Sequence, residues 1–300
     1  MLCRRVFSLL CLAAIALAAV PSRADGRLEV VASMSILGDL VRQVGGERIA
    51  LTILVGPGED AHVYQPSPAD ARRVAQAKLL FVNGLGLEGW LPRLVQASGS
   101  TAQIVILSKG VQAIREEAGG HAQELDPHAW QNVANAKIYA ANIRDALSAA
   151  DPDGKAWYAG RTENYLAALD RLDADIIEAI ATIPQARRRI ITTHDAFGYF
   201  AKAYGLTFIA PQGVSTESEA SARDVARIIR QIRAEKIPAV FLENISDPRL
   251  MNQIAKETGA TLGAKIYSDS LSSAEGPAAT YLEMMQHNLR AFTGALVSAR

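Results

Sequence analysis

Cysteine is nearly absent from this chain. Cys3 and Cys11 are the only two in 300 residues, and both fall within the first 24. Once that segment is removed, neither a disulfide nor a thiolate metal site can form, so any bound metal must be held by histidine and carboxylates. An excess of charge is missing too, because 31 basic side chains balance 31 acidic ones. That excludes the basic signature of a nucleic-acid or anionic-membrane binder. No apolar run after residue 24 approaches the ~20 residues of a membrane span. There is no HExxH zincin helix and no Gly-x-Ser-x-Gly elbow, which removes the usual motif support for a secreted hydrolase. Histidine is scarce as well, at five residues: 62, 121, 128, 194 and 287.

The first 24 residues differ in kind from the rest. Arg4 and Arg5 precede an apolar run from Val6 to Val20, and Ser22-Arg23-Ala24 places small residues at the −3 and −1 positions of a cleavage site. This predicts a secretory signal peptide cut after Ala24. Leu10 before Cys11 is not the small residue of a lipoprotein site, so a periplasmic chain without a lipid anchor is expected. Cleavage removes three arginines, leaving 28 basic against 31 acidic side chains, a net charge of −3.

The remainder alternates β-rich runs with amphipathic stretches. Strands are expected at 28–33, 49–55, 78–83 and near 104–107, then at 189–193, 206–210, 238–243 and near 264–267. Helices are expected at 36–44, 68–77, 196–204, 221–235, 248–258 and 278–296. Such alternation predicts parallel sheets with helices on both faces. From Pro152 to Ile183 the pattern changes. Tyr165, Leu166, Leu169, Leu172, Ile176, Ile177 and Ile180 recur every three or four residues, with Pro184 as the stop, predicting one long helix. The second half resembles the first at an offset of 160: VVAS at 30–33 answers IITT at 190–193, and LLFVN at 79–83 answers AVFLE at 239–243. The expected fold is α/β, with two similar lobes of parallel sheet flanked by helices and joined by one long rigid helix. The expected division is signal peptide 1–24, first lobe 25–151, connecting helix 152–184 and second lobe 185–300. Open α/β sheets bind ligands at the carboxyl ends of their strands, so two facing edges make an interlobe cleft.

Four residues stand at or near such ends. His62 lies in GPGEDAHVYQPSP, a loop shaped by Gly and Pro. His128 lies in DPHAW, where Asp126 either orients its ring or caps a helix. His194 follows IITT directly, with Asp195 available as a cap, and Asp269 sits in YSDSL past a predicted strand. Taken singly, His62 could be a surface loop residue and Asp269 an ordinary turn aspartate. Asn83 and Glu243 end matching strands, either as partners of ligand residues or as plain polar strand ends.

GPGEDAHVYQPSPAD, DPHAW, THDAFGYFAKAYG and YSDSL, in that order, resemble the zinc/manganese ABC-transporter substrate-binding proteins over essentially the whole chain after the leader. The resemblance implies that His62 and His128 from the first lobe and His194 and Asp269 from the second bind one metal in the interlobe cleft. It implies a binding protein, not an enzyme, that delivers the metal to a membrane ABC permease with its cytoplasmic ATPase. A periplasmic metallochaperone donor and a monomeric state are compatible with it. Manganese-preferring members often carry Glu at the third ligand, whereas His194 is present here, so Zn²⁺ is expected, with Mn²⁺ as the alternative. Readings outside this class are a secreted zinc hydrolase, with Asp195 or Glu243 as base, and an adhesin. The 115–125 segment is expected to be a short mobile loop, with His121 solvated. His287 is expected to be structural.

Overall fold

The computed structural model describes residues 26–115 and 125–298. The leader and His121 with its loop lie outside those residues.

The first sheet contains β1 (Leu28–Met34), β2 (Ile49–Val55), β3 (Leu79–Val82) and β4 (Gln103–Ile106), all parallel, in the order β2-β1-β3-β4. The second contains β5 (Arg189–Ile191), β6 (Thr207–Ile209), β7 (Ala239–Val240) and β8 (Thr261–Leu262), also parallel, in the order β6-β5-β7-β8. The two orders are the same topology, so the offset repeat seen in sequence is a repeat of architecture. Central parallel strands are covered on both faces and therefore read as unbroken apolar runs. Val30 to Ala32 in β1 and Leu79 to Val82 in β3 are all buried.

Helices cover both sheets. In the first lobe these are α1 (Ser35–Gly45), α2 (Pro68–Gln76), α3 (Leu91–Ser98) and α4 (Val133–Ala150). Ser67 and Asp70 start α2 with a reciprocal capping box, and Pro68 sits in its first turn, where a missing N–H costs nothing. A Cβ on Gly38 would come within 2.4 Å of Ile53, so glycine lets α1 lie directly on β2.

The connecting helix α5 is Lys155–Ala181, 27 residues entered through a 3₁₀ turn at Pro152–Gly154. At 1.5 Å per residue it is about 40 Å long. Tyr158, Thr162, Tyr165, Leu169, Leu172, Ile176 and Ile180 form its buried stripe. Ile177, expected on that stripe, is 56% exposed, because a 3.6-residue period carries it one step off the face. The second lobe adds α6 (Gly198–Tyr204), α7 (Ala222–Glu235), α8 (Pro248–Thr258) and α9 (Tyr281–Ser298). The helix α5 packs on α1 and α4 of the first lobe and on α6 and α9 of the second. One continuous apolar core accordingly runs through both lobes. Each large buried side chain contributes about 1.5–3 kcal/mol, which makes the lobe interface itself a folded core.

Several local expectations differ from the structure. The helix expected from Ala196 begins at Gly198, so Asp195 caps nothing. The strand expected near 264–267 is two residues at 261–262 plus an isolated bridge between Ile266 and Glu243. Neither α3 nor the longer helix α4 was anticipated. The buried face of α4 is Val133, Ala136, Tyr139, Ala140, Ile143, Ala146 and Leu147, and alanine contributes little to a visible apolar period.

Candidate metal centre

The loop after β2 carries His62, and the turn before α4 carries His128. His194 lies just past β5, and Asp269 follows the Ile266 bridge. All four meet between the lobes, with one ligating atom from each lying within 4.8 Å of the others. The His128 Nε2 is 3.4 Å from that of His62 and 3.3 Å from that of His194. Asp269 Oδ2 is 3.2 Å from His62 Nε2 and 3.1 Å from His194 Nε2, and its Oδ1 is 3.4 Å from His128 Nε2. Ligands held about 2.0–2.1 Å from a tetrahedral ion stand about 3.3–3.4 Å apart along the edges. The protein thus places these donors at metal-ligand spacing. Apart from the clustered imidazoles, neither Asp269 oxygen meets a hydrogen-bond partner, so both face the centre.

Each lobe fastens its ligands through the ends of equivalent strands. Past β7, Glu243 Oε1 accepts the backbone N–H groups of Thr193 and His194 at 2.8 and 2.9 Å, and Oε2 lies 2.6 Å from His194 Nδ1. Past β3, Asn83 donates to the Pro127 carbonyl at 2.9 Å and accepts from the Tyr139 hydroxyl. Asp126 Oδ1 accepts from the backbone N–H of His128 and lies 2.8 Å from its Nδ1. Asp126 therefore orients the ring, and the cap of α4 is Asn132. With Nδ1 of His128 and His194 each on a carboxylate, both Nε2 atoms point inward. The turn around His128 is also pinned across the lobe boundary. Trp130 Nε1 and Gln131 Nε2 both donate to the Ser268 carbonyl, and the Tyr199 hydroxyl donates to the Asp126 carbonyl. A Cβ on Gly198 would lie 2.6 Å from Asp126 Oδ2, so glycine admits that carboxylate. His287 lies elsewhere, bonded to the Lys265 carbonyl.

Charge governs this cluster. Burial alone lowers the pKa of His128, but the Asp269 and Asp126 carboxylates outweigh it and push the value up to about 9. Burial likewise opposes the charge on His194, and Glu243 and Asp269 reverse it, holding the imidazole well above its ordinary 6.5. Burial would raise Asp269, whereas His128 and His194 hold it well below the usual carboxylate range. Without metal, the imidazolium charges of His128 and His194 offset part of the negative charge of Asp269, Asp126 and Glu243.

Glu243→Gln should weaken metal binding about 10- to 100-fold. The amide oxygen can keep the two backbone donors, but its NH₂ then confronts His194 Nδ1–H and no longer holds that tautomer. Competition titration with a chelator measures the loss, and an affinity equal to wild type would show that Glu243 does not support the ligand.

Two matched α/β lobes, bridged by one helix and closing on a buried His₃Asp cluster, define a two-lobed cation-binding protein. The chain belongs to the ZnuA family, described as zinc-uptake complex component A, periplasmic, whose pattern matches residues 30–295. It is a substrate-binding protein of a metal ABC transporter and not an enzyme, and its partner is the membrane permease with its ATPase. Among its relatives, the manganese-binding lipoprotein MntA of Halalkalibacterium halodurans is 36% identical, over 91% of this chain and 90% of that protein. The metal ABC transporter substrate-binding lipoprotein FimA of Streptococcus parasanguinis is 35% identical, over 89% of each. The periplasmic zinc-binding protein TroA of Treponema pallidum superposes with a TM-score of 0.86 at 30% identity, over 92% of this chain and all of that one.

These relatives overturn one expectation. Residues before Cys11 argued against a lipid anchor, yet both the 36% and the 35% relative are lipoproteins. The argument weighed only the one residue preceding a single cysteine, and the expectation of a chain without a lipid anchor does not stand. An extracytoplasmic location agrees with the family.

Proposed function

We propose that His62, His128, His194 and Asp269 bind one Zn²⁺ ion reversibly and that the protein hands it to its permease for import. The observation that carries this reading is the set of 3.1–3.4 Å separations that link His128 Nε2 to the other two Nε2 atoms and the Asp269 oxygens to all three. Three imidazoles and one carboxylate suit tetrahedral zinc, and four protein ligands leave no open position of the catalytic kind. The reading takes residues 25–151 and 185–300 as the two lobes and 152–184 as the connector, acting as a monomer fed by free metal or a periplasmic metallochaperone.

A second reading, Mn²⁺ as cargo, is favoured by one feature of the site. Neither Asp269 oxygen is held by a group outside the cluster, so the carboxylate can ligate through two atoms and supply the extra oxygen that manganese prefers. The name of the H. halodurans relative points the same way. Raw affinity favours zinc at almost any N/O site and cannot choose between them. Metal content should therefore be measured on protein recovered from its native compartment. One zinc per chain is the expected result, and one manganese per chain would replace the first reading by the second.

A further inference from the structure

The four ligand residues are not held alike. His128, His194 and Asp269 are at most 1% exposed, whereas His62 is 6% exposed and is the one ligand that borders a cavity of about 1110 Å³. Carboxylates hold Nδ1 of His128 and His194. Among the described residues, nothing hydrogen-bonds to Nδ1 of His62. Its backbone is held instead. Asp60 Oδ1 accepts the His62 N–H at 2.9 Å, and Asp60 Oδ2 accepts the Thr216 hydroxyl at 2.6 Å. Thr216 belongs to the opposite lobe and sits between Ser215 and Glu217 of the cavity wall. One carboxylate thus ties the His62 loop to the opposite lobe.

The chemistry of the wall selects the traveller. Asp195, Glu217, Glu219 and Asp224 line it against Arg227 alone, and Arg227 lies 3.6 Å from Asp224. Such a wall repels an anionic metal chelate and attracts a hydrated dication.

We propose that this cleft is the path by which a hydrated divalent cation reaches the centre, and that Thr216, acting through Asp60, is the positioning residue that holds His62 across its inner end. This rests on the metal-capture reading above.

Stopped-flow exchange of Zn²⁺ with a fluorescent chelator tests it on the full chain. Thr216→Val deletes the hydroxyl at nearly constant volume. It should speed zinc release about tenfold, the loss expected for one hydrogen bond to a charged group, while stoichiometry stays at one. Thr216→Ser should restore the wild-type release rate. Glu217→Gln/Glu219→Gln should slow zinc association about threefold at low salt and match wild type at about 0.5 M salt. Melting of the metal-free variants checks that each is folded. Release from Thr216→Val within twofold of wild type, or failure of Thr216→Ser to restore it, overturns the positioning role. Association unchanged in the double glutamine variant overturns the path. Wild-type chain that takes up no divalent metal overturns the capture reading itself, and this proposal with it.

Discussion

Affinity for the captured cation should rise about 10⁴-fold between about pH 6 and pH 8. The cause is the protonation of the metal-free site. His128, pushed up to about 9, and His194, held well above 6.5, both carry a proton in that range, and each must lose it before Nε2 can bind metal. Two protons released per ion give a slope of about two in log affinity against pH. An unperturbed imidazole would be half titrated at about pH 6.5 and essentially neutral by about pH 7.5. The Asp269, Asp126 and Glu243 carboxylates extend the dependence to higher pH. The measurement is a chelator-competition series across this range, with proton release recorded in weakly buffered solution. A slope near zero above pH 7 would show that the imidazoles are neutral before metal arrives.

Stability without metal should run the other way. His128 and His194 have folded pKa values above their ordinary 6.5, so their stabilisation is fully present below about 6.5 and is lost as pH rises through the folded values. Asp269 has a depressed folded pKa, so its contribution is present above about 3.8 and is lost as pH falls through the folded value. Metal-free protein is therefore expected to be most stable between about pH 4 and 6.5. Metal-bound protein should gain stability toward alkaline pH. Melting curves with and without chelator would reveal the crossing trends.

His194→Ala should lower metal affinity by about two to three orders of magnitude. Structural zinc sites supply about 10–16 kcal/mol over four ligands, so one ligand is worth roughly 3 kcal/mol. A second effect distinguishes this residue from His62. Glu243 would keep its two backbone donors but lose the imidazolium, leaving a buried carboxylate without its counter-charge. Breaking a buried pair in this way costs about 3–5 kcal/mol of metal-free stability. Adding Glu243→Gln should recover most of the stability and none of the affinity. His287→Ala, remote from the cluster, should change neither affinity nor stoichiometry. Retention of near-native affinity by His194→Ala would remove that residue from the ligand set.

Much of this molecule is written locally in its sequence. Doubly buried parallel strands appear as runs such as VVAS and LLFV, because both faces need apolar side chains. The connecting helix shows in the recurrence from Tyr165 to Ile180, and the matching order of runs in the two halves announced two lobes. The ordered motifs around His62, His128, His194 and Asp269 singled out four residues that lie up to 207 positions apart in the chain.

Other features depend on contacts that no local pattern encodes. Helix α4 hid because alanine holds three positions of its core face, Ala136, Ala140 and Ala146, and packs through close approach and not through bulk. Asn83 and Glu243 could be read either as partners of ligand residues or as plain polar strand ends. Only the folded sheets set one against the Pro127 carbonyl and the other against His194. Asp195 had the local look of a helix cap, yet the backbone delays α6 to Gly198 and turns Asp195 toward the cavity. The charge of the cluster was equally invisible, since an imidazole's pKa depends on which carboxylates lie within a few ångströms and how little water remains. The sequence by itself determined two parallel α/β lobes, a long connector and a cysteine-free His/Asp donor set, because periodicity and residue chemistry are local. Tertiary structure alone decided that three Nε2 atoms and Asp269 converge at 3.1–3.4 Å, and that Asp60 and Thr216 join the lobes beside His62. Convergence of distant residues is a property of packing, and packing is settled only when both lobes close on one core.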